Sequence, residues 1–175
     1  MVERNNTKKL VIAGVLLAMG ILIPMIFHTL GIAGTIFLPM HIPVLIGGFL
    51  LPPYLALLLG LITPLLNSFL TGMPPLFPMA IIMTFELAFY GLIASLMYRK
   101  FHLPSLLSLI ISMIVGRVVA GIVVFILVSF LGIEMNPIMF VKGGILTGFP
   151  GIVIQLILIP SLIYGIVRYT TINFD

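Results

Sequence analysis

The sequence predicts an all-α membrane protein, a single transmembrane domain (residues 1–175) of six helices with both termini in the cytoplasm. Hydrophobic residues make up 62% of the chain and charged residues only 7%. A soluble domain needs more charges on its surface, so this composition excludes one. The apolar stretches are continuous over about 20 residues, the length of a helical span. A β-barrel would instead show alternating segments of about 10 residues.

The first half of the chain contains three predicted membrane segments, joined by stretches rich in glycine and proline. The first span covers about Lys9–Phe27 and leads into an uncharged outer loop, His28–Phe37. The second segment, about Leu38–Leu51, is short and interrupted by prolines, so it either crosses the bilayer or re-enters it. A proline pair then turns the chain into the third span, about Tyr54–Thr71, which a further proline kinks.

Three more spans follow a rigid outer loop that is rich in proline. The fourth span covers about Met79–Tyr98 and stops at two basic residues, Arg99 and Lys100. The fifth covers about Ser105–Leu131 and the sixth about Val141–Val167. A second polar loop separates these last two spans.

Basic residues mark the cytoplasmic side of the membrane. They cluster at three places, which are Arg4/Lys8/Lys9, Arg99/Lys100 and Arg168. The positive-inside rule places all three in the cytoplasm. Six spans satisfy this condition, whereas five would put the C-terminus outside. The net charge of +4 therefore reflects membrane topology, and the chain has no face of the kind that binds nucleic acid.

Two opposite charges lie inside the predicted spans. Glu86 and Arg117 are both about 20 Å from the cytoplasmic ends of their helices, at 1.5 Å per residue, so they can pair. A charge near the bilayer centre costs at least about 2.5 kcal/mol and by default marks a functional site. Two interpretations stay open: a buried ion pair that ties two helices together, or a ligand site in which Arg117 binds carboxylate or phosphate through its planar fork. Tyr90, one turn after Glu86, extends this polar face.

Lys142 begins the sixth span at its outer end. A helix N-terminus carries positive partial charge and free N–H groups, so Lys142 is a candidate anion anchor. The alternative is a lysine that snorkels to the lipid headgroups. Glu134, in the preceding loop, is interpreted as a solvated charge.

Other polar residues recur at helical spacing and indicate a shared polar interior. Asn67 lies on one such stripe in the third span, and Thr147 and Gln155 lie on another in the sixth. Single Thr residues often bond their own backbone, so Asn67 and Gln155 carry most of this inference. His41 follows the first outer loop and is a further candidate ligand contact.

Gly14 and Ala18 form a pair of small residues, four positions apart, on the first span. Such pairs let another helix approach closely, so this face is a candidate contact for a partner helix.

Several activities are excluded by missing motifs. The sequence has no G-x-x-x-x-G-K-[ST] loop for ATP, no H-E-x-x-H zinc motif and no G-x-S-x-G nucleophile turn. It also has no cysteine and no acidic cluster that suits a metal ion. We therefore expect neither an enzyme nor a bound cofactor.

Two stretches carry a family resemblance: residues 37–45 (FLPMHIPVL), and residues 70–79 (LTGMPPLFPM) leading into Phe85-Glu86-Leu87. With the size and the six-span layout, they resemble the substrate-binding S-components of energy-coupling factor (ECF) vitamin transporters, pantothenate-type or related. The resemblance implies an outward vitamin pocket, built mainly from spans four to six and the outer loops, with the first loop as a lid. It also implies a bacterial cell (inner) membrane location.

The resemblance further implies partners and a site. A membrane coupling protein and two ATPase subunits would come from other chains, and Gly14 and Ala18 match the family's Ala-x-x-x-Ala contact surface, with Gly in the first position. The expected substrate-binding residues are Asn67, Glu86, Tyr90, Arg117, Lys142, Thr147, Gln155 and His41.

The substrate depends on how the interior charges pair. Pantothenate fits if Arg117 is available to its carboxylate. A neutral ring compound such as pyridoxine or a hydroxymethylpyrimidine fits if Glu86 neutralises Arg117, and folate and cobalamin are further alternatives. Two other functions stay open: a stand-alone carrier with Glu86 as its proton site, and a non-transporting assembly subunit in which the pair is a static strut.

Overall fold

The computed structural model of the chain describes residues 2–169. The remaining ends of the predicted 1–175 domain lie outside the described residues. Within the described part the regular elements are all helical, which confirms the all-α prediction. In chain order they are α1 (Val2–Thr29), α2 (Gly34–Phe37), α3 (His41–Leu50), α4 (Pro53–Thr71), α5 (Ile81–Ser95), α6 (Ser105–Leu131) and α7 (Pro137–Tyr169). A π-helical turn, Leu96–Lys100, follows α5. The segment before α5, Leu76–Ala80, is kinked at Phe77, whose backbone is extended (φ −123°, ψ 133°).

The lengths of these helices confirm a multi-pass membrane protein. Five segments of the described chain are long and apolar enough to cross a bilayer, and they are Asn6–Thr29, Pro53–Thr71, Leu76–Lys100, Ser105–Leu131 and Pro137–Ile166. The sixth apolar segment, Gly34–Leu50, is shorter. The ten residues of α3 extend only about 15 Å, half of the hydrocarbon thickness. The predicted second span therefore corresponds to the shortest of the six apolar segments, which is built from α2 and α3.

The short helix α3 lies at the centre of the bundle. Its side chains Val44, Leu45 and Phe49 are buried and form the core with residues of α1, α4, α5 and α7. Helices α4 and α5 touch through their backbones, because a Cβ on Gly60 would overlap the carbonyl of Leu87. This close approach at glycine is how membrane helices gain packing where no water drives them together.

Helix α1 lies at the edge of the bundle and is attached to α4 by one buried amide. Pro24 lacks an N–H, so the carbonyl of Gly20 has no helical donor. The Nδ2 of Asn67 donates to that carbonyl at 2.9 Å and to the carbonyl of Thr63 at 3.0 Å. Asn67 therefore fixes α1 where proline interrupts its hydrogen bonding.

The first outer loop lies against the glycine-rich face of α7. A Cβ on Gly151 would sit 2.7 Å from the carbonyl oxygen of Ile36, and one on Gly148 would sit 3.0 Å from the side chain of Leu38. Leu38 ends α2 with φ at 51°, a left-handed conformation that costs a non-glycine residue about 1–2 kcal/mol. This conformation turns the chain from α2 into α3 and places His41 at the start of the central helix.

Candidate functional site

Glu86 is the centre of a buried group of polar side chains from three helices. Its Oε1 lies 2.9 Å from Nη1 of Arg117 in an ion pair and accepts a hydrogen bond from the hydroxyl of Tyr90 at 3.0 Å. The Nε2 of His41 lies 4.0 Å from the same oxygen. The pairing that the sequence allowed for Glu86 and Arg117 is therefore present. We call His41, Glu86, Tyr90 and Arg117 the polar cluster.

The local sequence explains how these side chains meet. Glu86 and Tyr90 are one turn apart on α5, so they share a face. Gly116 lies opposite them on α6, where a Cβ would overlap the Tyr90 ring. The next residue, Arg117, then reaches Glu86. On the other side the ring of His41 packs against the ring of Tyr90, with centroids 5.6 Å apart.

Arg117 is only partly satisfied by its neighbours. Its side chain is 11% exposed and pairs through Nη1, but its buried Nε and Nη2 find no hydrogen-bond partner among residues 2–169. Gly144 of α7 lies beside the guanidinium, because a Cβ there would be 2.9 Å from Nη1. One edge of the guanidinium is thus left without a protein acceptor.

Gln155 adds an amide from α7 next to the polar cluster. Its Nε2 donates to the carbonyl of Leu38 at 3.4 Å, the same carbonyl that accepts the backbone N–H of His41 at 3.1 Å. Within the described part of the chain, the Oε1 of Gln155 and both ring nitrogens of His41 are buried without a hydrogen-bond partner. More than about 90% of buried polar groups in proteins are paired, so such a concentration indicates a place for a polar ligand or for water.

Three of the expected substrate contacts lie elsewhere. Asn67 is at the junction of α4 with α1, where it bonds Gly20. Lys142 and Thr147 are exposed on α7. The first turn of α7 already has an acceptor, since Oδ1 of Asn136 accepts the N–H of Met139 at 3.0 Å. The structure therefore does not bring these three residues into the polar cluster.

The small pair on α1 faces away from the bundle. Gly14 and Ala18 are both exposed, and a Cβ on Gly14 would meet nothing within 4 Å in the described chain. Large apolar side chains around them are exposed as well, namely Val11, Val15, Leu22 and Met25. This face has room for the partner helix that the sequence predicts.

Three further positions, which were not among the predicted site residues, shape the site. Gly116 leaves space for Tyr90, and its signal in the sequence was its place beside the interior charge Arg117. Gly144 leaves space for Arg117, and its signal was its place on the helical stripe that ends at Gln155. Leu38 had no signal, because leucine has no preference for a left-handed backbone.

The polar cluster offers hydrogen-bond donors and acceptors rather than reactive groups. Arg117 donates through Nε and Nη2, His41 can donate and accept, and Gln155 accepts through Oε1. In the residues that the structure describes, no three His, Cys, Asp or Glu side chains are grouped to hold a metal ion. The arrangement suits non-covalent binding of a small polar molecule.

Comparison with known proteins agrees with this picture. A family model described as "ECF transporter, substrate-specific component" matches residues 8–163. No curated protein and no solved structure matched the chain. The matched region contains the whole polar cluster, Gln155, and the exposed pair on α1. The chain therefore belongs to the family of substrate-specific components of ECF transporters.

Proposed function

We propose that this chain is the pantothenate-binding subunit of an ATP-driven ECF importer, and that its ligand binds beside the polar cluster. Seven buried side-chain nitrogen and oxygen atoms of the described residues have no hydrogen-bond partner, two of them being Oδ1 of Asn67 and Oγ1 of Thr84. The single observation that carries the proposal is that the other five belong to the polar cluster and Gln155. They are Nε and Nη2 of Arg117, Nδ1 and Nε2 of His41, and Oε1 of Gln155. Leaving one such atom unpaired costs about 1–3 kcal/mol, so a ligand that pairs several of them gains substantial binding free energy.

Pantothenate has the groups that these atoms need. Its carboxylate matches the donors of Arg117, and its hydroxyl and amide groups match the imidazole of His41 and the amide of Gln155. Small-molecule sites in proteins are typically mostly apolar, with a few polar groups that fix the ligand. The polar cluster and Gln155 would supply those polar groups here.

A second candidate substrate is favoured by the ion pair itself. Because Glu86 lies 2.9 Å from Arg117, the pair is close to neutral without a ligand. A neutral ring compound such as pyridoxine or a hydroxymethylpyrimidine would then meet no net charge. Folate and cobalamin remain further members of the panel to be tested.

The proposed transporter needs subunits that other chains supply. The exposed surface at Gly14 and Ala18 would contact a helix of the membrane coupling protein, and two ATPase subunits would provide the energy, because the sequence has no nucleotide-binding loop. The proposed location is the bacterial cell membrane. This arrangement differs from a stand-alone proton-coupled carrier, which would need no partner.

Isothermal titration calorimetry of the purified chain, without ATP, tests the proposal. We expect tight 1:1 binding of pantothenate, weakened by Gln155→Leu and unchanged by Ser161→Ala, whose exposed hydroxyl bonds only its own helix at Ile157. A panel in which no B vitamin binds would reject the proposal. Uptake by the chain alone in proteoliposomes, driven by a pH gradient, would favour the carrier instead.

A further inference from the structure

We infer that the ligand of this site carries a carboxylate, that the carboxylate binds the Nε–Nη2 edge of Arg117, and that Glu86 orients this arginine without touching the ligand. The inference rests on the proposed function and specifies the chemical class of its substrate and the role of each charge.

The three nitrogens of the guanidinium are used unequally. Nη1 forms an ion pair with Oε1 of Glu86 at 2.9 Å, whereas Nε and Nη2 are buried and without a hydrogen-bond partner in the described residues. These two nitrogens form one side of the planar group, and their N–H bonds point the same way. That side is one of the forks by which arginine binds both oxygens of a carboxylate.

Glu86 is suited to hold the guanidinium in place. Its Oε1 is fixed by the hydroxyl of Tyr90 at 3.0 Å, and its side chain is only 3% exposed. A fixed carboxylate at Nη1 sets the rotation of the arginine side chain and so the direction of the free edge. Glu86 is therefore a positioning residue, and the acid of the ligand is a second, separate partner of Arg117.

Gly144 gives the guanidinium its place against α7. A Cβ at this position would lie 2.9 Å from Nη1 and 3.5 Å from Cζ of Arg117. The atoms in its way belong to the end of a flexible side chain, so Gly144→Ala displaces the guanidinium more than it disturbs the fold. The adjacent Gly143 has nothing within 4 Å of its Cβ position in the described chain, which makes Gly143→Ala the matched control.

A carboxylate satisfies this edge better than a neutral group does. Hydrogen bonds between two charged partners are roughly twice as strong as those between neutral ones. A hydrogen bond to a charged group contributes about 1.5–3 kcal/mol, which corresponds to a tenfold or greater change in affinity. The acid form of a ligand should therefore bind at least about tenfold more tightly than its neutral analogue.

Calorimetry with matched acid and neutral ligands tests the inference on the full-length wild-type chain. Pantothenate is compared with panthenol, in which an alcohol replaces the carboxylate, and nicotinate with nicotinamide; pyridoxine and a hydroxymethylpyrimidine are the neutral-ring arms. We expect pantothenate to bind at least about tenfold more tightly than panthenol. Equal affinities for the two would overturn the carboxylate assignment while leaving pantothenate as the substrate. Tightest binding of a neutral ring would overturn both the carboxylate assignment and pantothenate as the substrate. If no compound binds, the proposed function fails and this inference fails with it.

Variants then test the role of each residue. Arg117→Lys keeps the charge but lacks the two-pronged edge, so it should lose most of the preference for pantothenate over panthenol. Gly144→Ala should lower pantothenate affinity several-fold, and Gly143→Ala should not. If Arg117→Lys does not fold, the Gly144 and Gly143 pair still decides: equal pantothenate affinities in these two variants would contradict the placement of the ligand at Arg117.

Discussion

Replacing Arg117 by methionine would leave Glu86 as a buried charge without its partner. Both side chains are largely buried, with 11% and 3% exposed. Removing one member of a buried ion pair costs about 3–5 kcal/mol, because the other charge stays uncompensated. Replacing both, in Arg117→Met with Glu86→Leu, removes that penalty and leaves only the hydroxyl of Tyr90 without its acceptor, at about 1–3 kcal/mol. Adding Tyr90→Phe should remove this remaining loss, since apolar replacements of buried pairs are often neutral or stabilising.

Chemical unfolding in detergent, with pantothenate binding measured on the same samples, tests this series. We expect the single variant to be the least stable, the double variant intermediate, and the triple variant close to wild type. None of the three should bind pantothenate. A single variant as stable as wild type would refute the buried ion pair. A triple variant that binds pantothenate like wild type would show that the ion pair only joins α5 to α6 and takes no part in ligand binding.

Three further substitutions test other contacts. Gly116→Ala places a methyl group against the Tyr90 ring and should lower the free energy of unfolding by about 1–3 kcal/mol through overpacking; an unfolding curve like that of wild type would contradict this contact. Asn67→Leu leaves the Gly20 carbonyl without its donor and should also cost about 1–3 kcal/mol, again measured by unfolding, with vitamin affinity preserved. Gly14→Leu should preserve vitamin affinity but reduce co-purification of the coupling protein; undiminished co-purification would exclude this face of α1 as the docking surface.

Span boundaries were predictable where a proline or a glycine in the local sequence ends a helix. The fifth span was predicted at Ser105–Leu131, and α6 has these bounds. Its start is fixed because Pro104 disfavours a helical conformation at the residue before it. Its end is fixed because Gly132 adopts a left-handed conformation at φ 65°. The sixth span was predicted to begin at Val141, whereas α7 begins four residues earlier at Pro137. The cap by Asn136 and the fixed φ of a proline at the first helical position explain the earlier start.

The polar cluster was only partly predictable. Glu86 and Arg117 were identified because an unpaired charge inside a membrane is so costly that depth alone indicates pairing. Asn67 looked like a lining residue, yet its partner is a carbonyl that Pro24 leaves without a donor on another helix, a long-range relation that no local pattern reveals. Thr147 lies beside the buried stripe of α7 rather than on it, because the close contacts of Gly148 and Gly151 with the first loop decide which side of α7 faces inward.

Small molecules that co-purify with the gently extracted protein provide the most direct measurement. Mass spectrometry of extracts from the wild-type chain should find one vitamin with a carboxylate, pantothenate, at about one molecule per chain. The Arg117→Met, Glu86→Leu, Tyr90→Phe variant, which should fold, is predicted to contain none. Equal amounts of the same vitamin in both proteins would contradict a ligand site at the polar cluster.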